Sequence, residues 1–487
     1  MQSRPFKEDL TVKASDALFS FARTTALKKA GKHALDPVPQ LPDGQKITLG
    51  DPDADRYYAG FATRDITPKN YKTHPYWMAG YNIAKRITGF LDPLTANAMW
   101  IGCGDGEGIV LISCDLIGLT GYEIKELRDN LMPFCRKSGC RHVTVSCTHT
   151  HAGVDTMGYW GVLPKSGKDR AYMKKLKETL RELCEEAWRS RCPGSLYYGS
   201  TEAPELLHRW REPSFTKAVL HRFRFVPDDG GKETWILNFP AHPNTMGGKN
   251  RMLSADYPCY MRREINRRQE TNVMYAVSAI GATDIGEVAD DDTERTILGG
   301  MLLGQKACSI GNERLLTPAV TVISQPFVMP LDNFVLSLAN SLGVFNARAC
   351  AADSETKSGF ISEVTYLSIG GVQILTMPGE MFPELVWAGG YESAETSATG
   401  EGPEVNPTPL SEIFGDENLL IFGVTNDMAG YAVAPNDFVL DTRMPYFNRG
   451  TDRFGRSHYH ETNSCGINTG RVIADACKRI KRILSEP

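Results

Sequence analysis

Four apolar segments of the sequence run directly into polar residues able to do chemistry. HVTVSC leads to Thr148, His149, Thr150, His151 and Gly153. TWILNFP leads to Ala241, His242, Pro243 and Asn244; QILTMP leads to Gly379 and Glu380; LLIFGVTND leads to Met428, Gly430 and Tyr431. In α/β sheets functional groups gather just past the carboxyl ends of strands. Two histidines and a carboxylate from different strands are a common ligand set for a catalytic zinc, which keeps one position open for water. Neighbouring side chains on an extended segment alternate sides, so His149 and His151 need not both bind metal; one can be a ligand while the other handles a proton or the substrate. The chain has ten histidines. Spacing alone equally allows each to be a separate strand-end residue satisfied by backbone hydrogen bonds.

The elements that must position these groups alternate along the chain. GIVLISCDLIGL is a near-continuous apolar run, expected of a strand buried on both faces. GYEIKELRDNLMPFCRKSG is an amphipathic helix ending in glycine. Further helices are expected in KDRAYMKKLKETLRELCEEAWRS, YPCYMRREINRR, TERTILGGMLLGQKA and GRVIADACKRIKRIL, and strands in LHRFRFV, TWILNF, NVMYAVSAI, QILTM and LLIFGV. This predicts an α/β domain of layered α/β/α type, with helices on both faces of a mixed sheet. Residues 1–45 read as an N-terminal arm, with helical spacing at Leu18, Phe19, Phe21, Ala22 and Leu27 and a Pro-rich exit, DPVPQLPDG; 46–487 read as one domain.

Composition narrows the class. The 487 residues hold 54 Lys+Arg against 58 Asp+Glu, a net charge of −4, with 41% hydrophobic and 23% charged residues. That argues against a nucleic-acid binder and against a disordered chain. Twelve scattered cysteines without a C-x-x-C pair read as reduced thiols. No apolar run reaches the length of a signal peptide or a transmembrane segment, so a soluble, cytoplasmic protein is expected. GCGDGEG precedes a strand and reads as a hairpin turn rather than a phosphate loop. ADDDTE reads as a helix N-terminus. The segment from Arg443 to Arg456, with Arg449, Arg453, Tyr446, Phe447 and Phe454, reads either as a lid for an anionic group or as an ordinary surface loop.

The ordered set DITP, MAGY, LDPL, VLISCDLIGL, CTHTHAG, NFPAHPNTM, MPGE and NDMAGY, over roughly residues 55–470, resembles the catalytic domain of the neutral ceramidase family. The resemblance implies a ceramidase-like zinc amidase that cleaves an N-acyl bond. Its zinc ligands would be His149, His242, Glu380 and Tyr431, with His151 as a substrate-facing histidine. Arg209, in LLHRWREP, matches an arginine that contacts substrate, and Tyr459, in HYHETNSCG, a tyrosine that stabilises the oxyanion. Zinc so held brings the pKa of its water toward about 7, and His151 could pass a proton to the leaving amine.

The departures shape the expectation. Gly286 stands where the family has a serine sometimes assigned as nucleophile, and Thr283 and Ser278 read as packing at a strand end. The reading is therefore metal-activated water. The family's C-terminal immunoglobulin-like domain and secretion signal find no counterpart. The substrate is expected to be a small-molecule or lipid-like amide, with a polar, short-chain or anionic compound preferred to long-chain ceramide. A zinc esterase or lactonase, or a catalytically silent metal-containing binding protein, are the competing readings. Oligomeric state is not legible.

Overall fold

Successive residues of the strand Thr95–Cys103 belong to different cores: Ala96, Ala98 and Trp100 pack on one side, Met99, Ile101 and Cys103 on the other, all buried. A strand buried on both faces lies inside a layered fold. The computed structural model describes Ser20 and Thr24 and residues 37–50, 55–212, 215–344, 349–388, 397–400 and 406–486. The helical spacing read around Leu18 to Leu27 lies outside these. Among the described residues no helix is long and apolar enough to cross a membrane.

The principal strands are β1 (Lys46–Leu49), β2 (Tyr57–Asp65), β3 (Thr95–Cys103), β4 (Gly108–Cys114), β5 (Cys140–Cys147), β6 (Cys192–Glu202), β7 (Val219–Pro227), β8 (Glu233–Phe239), β9 (Thr271–Val277), β10 (Val320–Pro330), β11 (Ser358–Ile369), β12 (Val372–Thr376) and β13 (Leu420–Phe422). The order β9-β8-β7-β6-β2-β3-β4-β5 makes one mixed sheet, parallel at β4–β5 and β8–β9. The order β1-β10-β11-β12-β13 makes a second, parallel at β12–β13. Met99, Ile101, Leu111, Phe223 and Met274 of the first sheet pack against Val322, Leu367, Ile374 and Phe422 of the second, so the sheets lie face to face.

Helices α1 (Gly121–Ser138), α2 (Arg170–Arg189), α3 (Tyr257–Arg268) and α4 (Asp292–Ser309) cover the outer face of the first sheet. Beyond α5 (Phe334–Ser341), helices α6 (Pro383–Trp387), α7 (Leu410–Phe414) and α8 (Thr469–Ser485) cover the second. The layered α/β class holds, with two sheets between the helix layers. Local signals act as read. GCGDGEG is the turn of the antiparallel β3–β4 hairpin, Gly139 closes α1 with φ 74°, and the Asp291 side chain accepts from Glu294 N at the start of α4.

Two features position the site. The first sheet curls until its far strands approach, with Ser113 Oγ of β4 donating to Tyr275 O of β9 at 2.5 Å. The loop after β13 then docks across β5: Cys147 N donates to Val424 O, Asn426 N to Val145 O, and Val145 N to Asn426 Oδ1. Val424 (φ 47°) and Asn426 (φ 63°) are left-handed there, a conformation that costs a β-branched residue most.

Candidate metal centre

His149 leaves β5 in the left-handed region, φ 65°, where non-glycine residues are rare and cluster at functional sites. Its Nδ1 lies 2.6 Å from Ile117 O, so Nδ1 carries the proton and Nε2 presents a lone pair. His242, after β8, is held the same way, Nδ1 lying 3.0 Å from Thr283 O. Backbone carbonyls on the far nitrogen are the usual means of orienting metal-binding imidazoles. Glu380 pairs in parallel register with Tyr431, and Glu380 N donates to Gly430 O. That approach needs Gly379, where a Cβ would stand 2.4 Å from Gly430 O.

The side-chain atoms converge. Glu380 Oε2 lies 2.6 Å from His242 Nε2 and 3.4 Å from His149 Nε2, and Tyr431 Oη lies 3.5 Å from His242 Nε2. Ligand atoms around a tetrahedral zinc are about 3.3 Å apart, so two of these separations already suit an ion and the third opens by a fraction of an ångström. One ring nitrogen each from His149, His151 and His242 lies within 4.8 Å of the others, a buried histidine group that could hold a metal ion. Both nitrogens of His151 are buried without a hydrogen-bond partner among the described residues. Burial alone would raise the Glu380 carboxyl, but the imidazoles of His149 and His242 hold it well below the usual range. Burial alone would lower His242, and Glu380 instead raises it. The pocket therefore favours positive charge between these groups, which a proton or a metal cation satisfies.

No family model and no curated protein matches the sequence. Solved structures do resemble it. The neutral ceramidase from Pseudomonas aeruginosa is 15% identical, covering 89% of this chain and 76% of that one, with a TM-score of 0.63. A ceramidase complexed with C2 is 14% identical over 88% and 76%, with a TM-score of 0.64. The fold is ceramidase-like.

Around the centre, the fold places further groups. Tyr459 stands with its ring 6.4 Å from that of Tyr431, and burial, helped by Asp284 and Glu380, raises its phenol, which stays protonated. Arg449 lies over the Tyr459 ring at 5.6 Å. Arg456 is engaged by Asp452 and Glu212 O, and Arg453 donates to Ser397 O. Arg209 comes close but turns elsewhere: its terminal nitrogens donate to Glu384 and to Gly281 O, and its guanidinium lies 5.1 Å over Phe382. Burial lifts the Glu384 carboxyl to about 7 despite Arg209. Of the Arg209 guanidinium, Nε is the nitrogen left without a hydrogen-bond partner among the described residues.

A side chain at Gly286 would be tightly placed, with its Cβ 3.0 Å from Glu205 O. Thr283 Oγ1 donates to Pro240 O, the packing role read for it. The sequence missed Tyr81, whose ring lies 5.1 Å from that of His151. It also missed Asp284, which accepts from Trp210 Nε1 and from Asn244 Nδ2. Tyr81 ends the MAGY motif, a signal that was available; Trp210 and Asp284 carried none beyond nearness to Arg209 and Thr283. Tyr81, Trp210 and Tyr459 are 37–54% exposed and frame the centre with aromatic faces.

Proposed function

We propose that the chain is a zinc-dependent hydrolase of N-acyl amides, related to the ceramidases and acting through metal-activated water. The observation that carries the reading is the convergence of His149 Nε2, His242 Nε2, Glu380 Oε2 and Tyr431 Oη beside the unpartnered His151. These four would hold the metal. Zinc there would acidify a water and polarise the substrate carbonyl. The chain's own groups do the rest. Tyr459, kept protonated, donates to the carbonyl oxygen as negative charge develops. His151 accepts the proton of the attacking water and returns it to the leaving amine. Gly286 supplies no nucleophile, so no acyl-enzyme forms on it.

Arg449 over Tyr459 and the aromatic frame support a short or polar N-acyl compound with an anionic group, in preference to long-chain ceramide. The histidine trio supports a second ligand set, in which His151 joins His149 and His242. The test is metal analysis of purified protein, then hydrolysis of matched amides and esters, including ceramide, before and after chelation. About one equivalent of zinc and chelator-sensitive amide cleavage are expected. Metal far below one equivalent with no cleavage of any amide would overturn the reading.

A further inference from the structure

Behind the two tyrosines lies a buried charged cluster that the mechanism above does not use. Arg211 and His460 are 4% and 2% exposed. Arg211 Nε donates to Asp437 Oδ2 at 2.7 Å and Nη2 to Glu461 Oε1 at 2.6 Å, while His458 Nδ1 lies against both Nη2, at 2.7 Å, and Glu461 Oε1, at 2.8 Å. Nη1 reaches His460 Nδ1 at 2.8 Å. A guanidinium only donates, so His460 Nδ1 must accept, and the proton of the neutral ring sits on Nε2. That Nε2 is buried with no hydrogen-bond partner among the described residues. Burying a donor unpaired is costly and marks a group kept for a purpose other than packing.

The His460 ring lies between the groups that matter. It stacks on Tyr459 with centroids 3.8 Å apart and planes 29° apart, and meets Tyr431 edge-on at 4.7 Å and 88°. Phe382 closes a further side at 5.3 Å, and Arg211 in turn lies 5.4 Å over the Phe382 ring. Fixing the ring plane of His460 thus fixes the planes of both phenols. The cluster is anchored by two buried carboxylates, Asp437 and Glu461, so moving Arg211 away would break two buried ion pairs, leaving Glu461 with His458 alone as a charged partner.

We propose that Arg211 and His460 are a positioning pair: Arg211 holds His460 in one tautomer and orientation, and the His460 ring sets Tyr431 and Tyr459 for their work at the metal centre. This rests on the roles given to the two tyrosines above. Misplacing a phenol by even a fraction of an ångström weakens a donor that acts mainly in the transition state, so turnover suffers more than binding.

The test uses His460→Phe, which keeps a stacking ring but cannot accept from Arg211, and His460→Gln, which restores an acceptor but removes the ring. Both are examined in full-length, zinc-loaded protein, and again with cobalt in place of zinc, whose visible spectrum reports ligand geometry without any substrate. For His460→Phe we expect kcat to fall at least tenfold, KM to stay within about twofold, and the cobalt bands to shift. If that variant does not fold, His460→Gln, with an acceptor for Arg211, is expected to fold, hold metal and show the same losses. Variants with wild-type kcat and unchanged cobalt bands would overturn the pair's role. Failure of the hydrolase reading looks different: wild-type protein would bind metal but cleave no amide, and the cobalt bands of the variants would still decide the positioning. Wild-type protein that binds neither metal would overturn both.

Discussion

The crevice between α1 and α2 and the candidate metal centre are opposites. The crevice has a volume of about 750 Å³ and is rich in charge, but its buried charges are spoken for: Glu123 holds Lys168 at 3.1 Å and Lys177 at 3.0 Å, and Lys177 also meets Glu126. At the candidate metal centre, ligand atoms of like polarity face one another and, among the described residues, neither nitrogen of His151 has a hydrogen-bond partner. Room and charge alone do not make a reactive site. Lone pairs held facing one another mark the stronger candidate, because such an arrangement costs stability unless a proton, a cation or a substrate completes it.

The comparison can be broken most severely at His242. His242→Ala should abolish metal binding and lower kcat/KM by at least a thousandfold, about 4 kcal/mol, checked by metal analysis and kinetics on one sample. His151→Ala should keep the metal while kcat falls about 10²–10⁴-fold, the range for a lost general base; metal lost together with activity would instead make His151 a ligand. Tyr459→Phe should retain metal and lower kcat about 100-fold, the loss of one oxyanion donor.

Smaller effects sharpen the contrast from the other side. Gly286→Ser should give no gain in rate and no acyl adduct by mass spectrometry, and should cost about 1–3 kcal/mol of stability through crowding against Glu205 O. Glu123→Gln should leave kcat/KM within about twofold while urea unfolding shows a loss of about 1–3 kcal/mol. Its pH dependence has a definite sign. Burial would raise the Glu123 carboxyl, but Lys168 and Lys177 hold it below its ordinary value of 4.5. Its stabilising contribution is therefore complete above that value and lost as pH falls through the depressed one. Glu123→Gln should remove this part of the acid sensitivity.

His149, His242, Glu380 and Tyr431, whose side chains the structure brings together, could be picked out as candidates because each follows a strand that the apolar pattern reveals, and strand-end position is a local property; their grouping as one ligand set came only from the resemblance. The helices from α1 to α4 and α8 were legible for the same reason: caps, amphipathic spacing and terminal glycines act within a few residues. What stayed hidden is produced at long range. Strands such as β10 and β11 gave no separate signal, and that the strands divide between two sheets is set by which faces bury each other. Trp210, Asp284, Arg211 and His460 reach the centre through the curl of the first sheet and the packing of loops from distant parts of the chain. Arg209 was found in sequence, but its partner Glu384 lies 175 residues away, and that ion pair decides where the guanidinium points.

The converging groups are divided between the sheets: His149 and His242 follow strands of the first, Glu380 and Tyr431 follow strands of the second. Neither sheet folded alone carries a complete set. During folding the centre can assemble only after both sheets have formed and the loop after β13 has docked on β5, which places it among the last contacts to be made. Metal uptake by this chain would then act as a completion signal. A chain with one sheet misassembled would keep two groups at most and hold no ion, whereas a fully assembled chain that binds one would gain an extra tie between its halves and unfold more slowly the more tightly the ion is held.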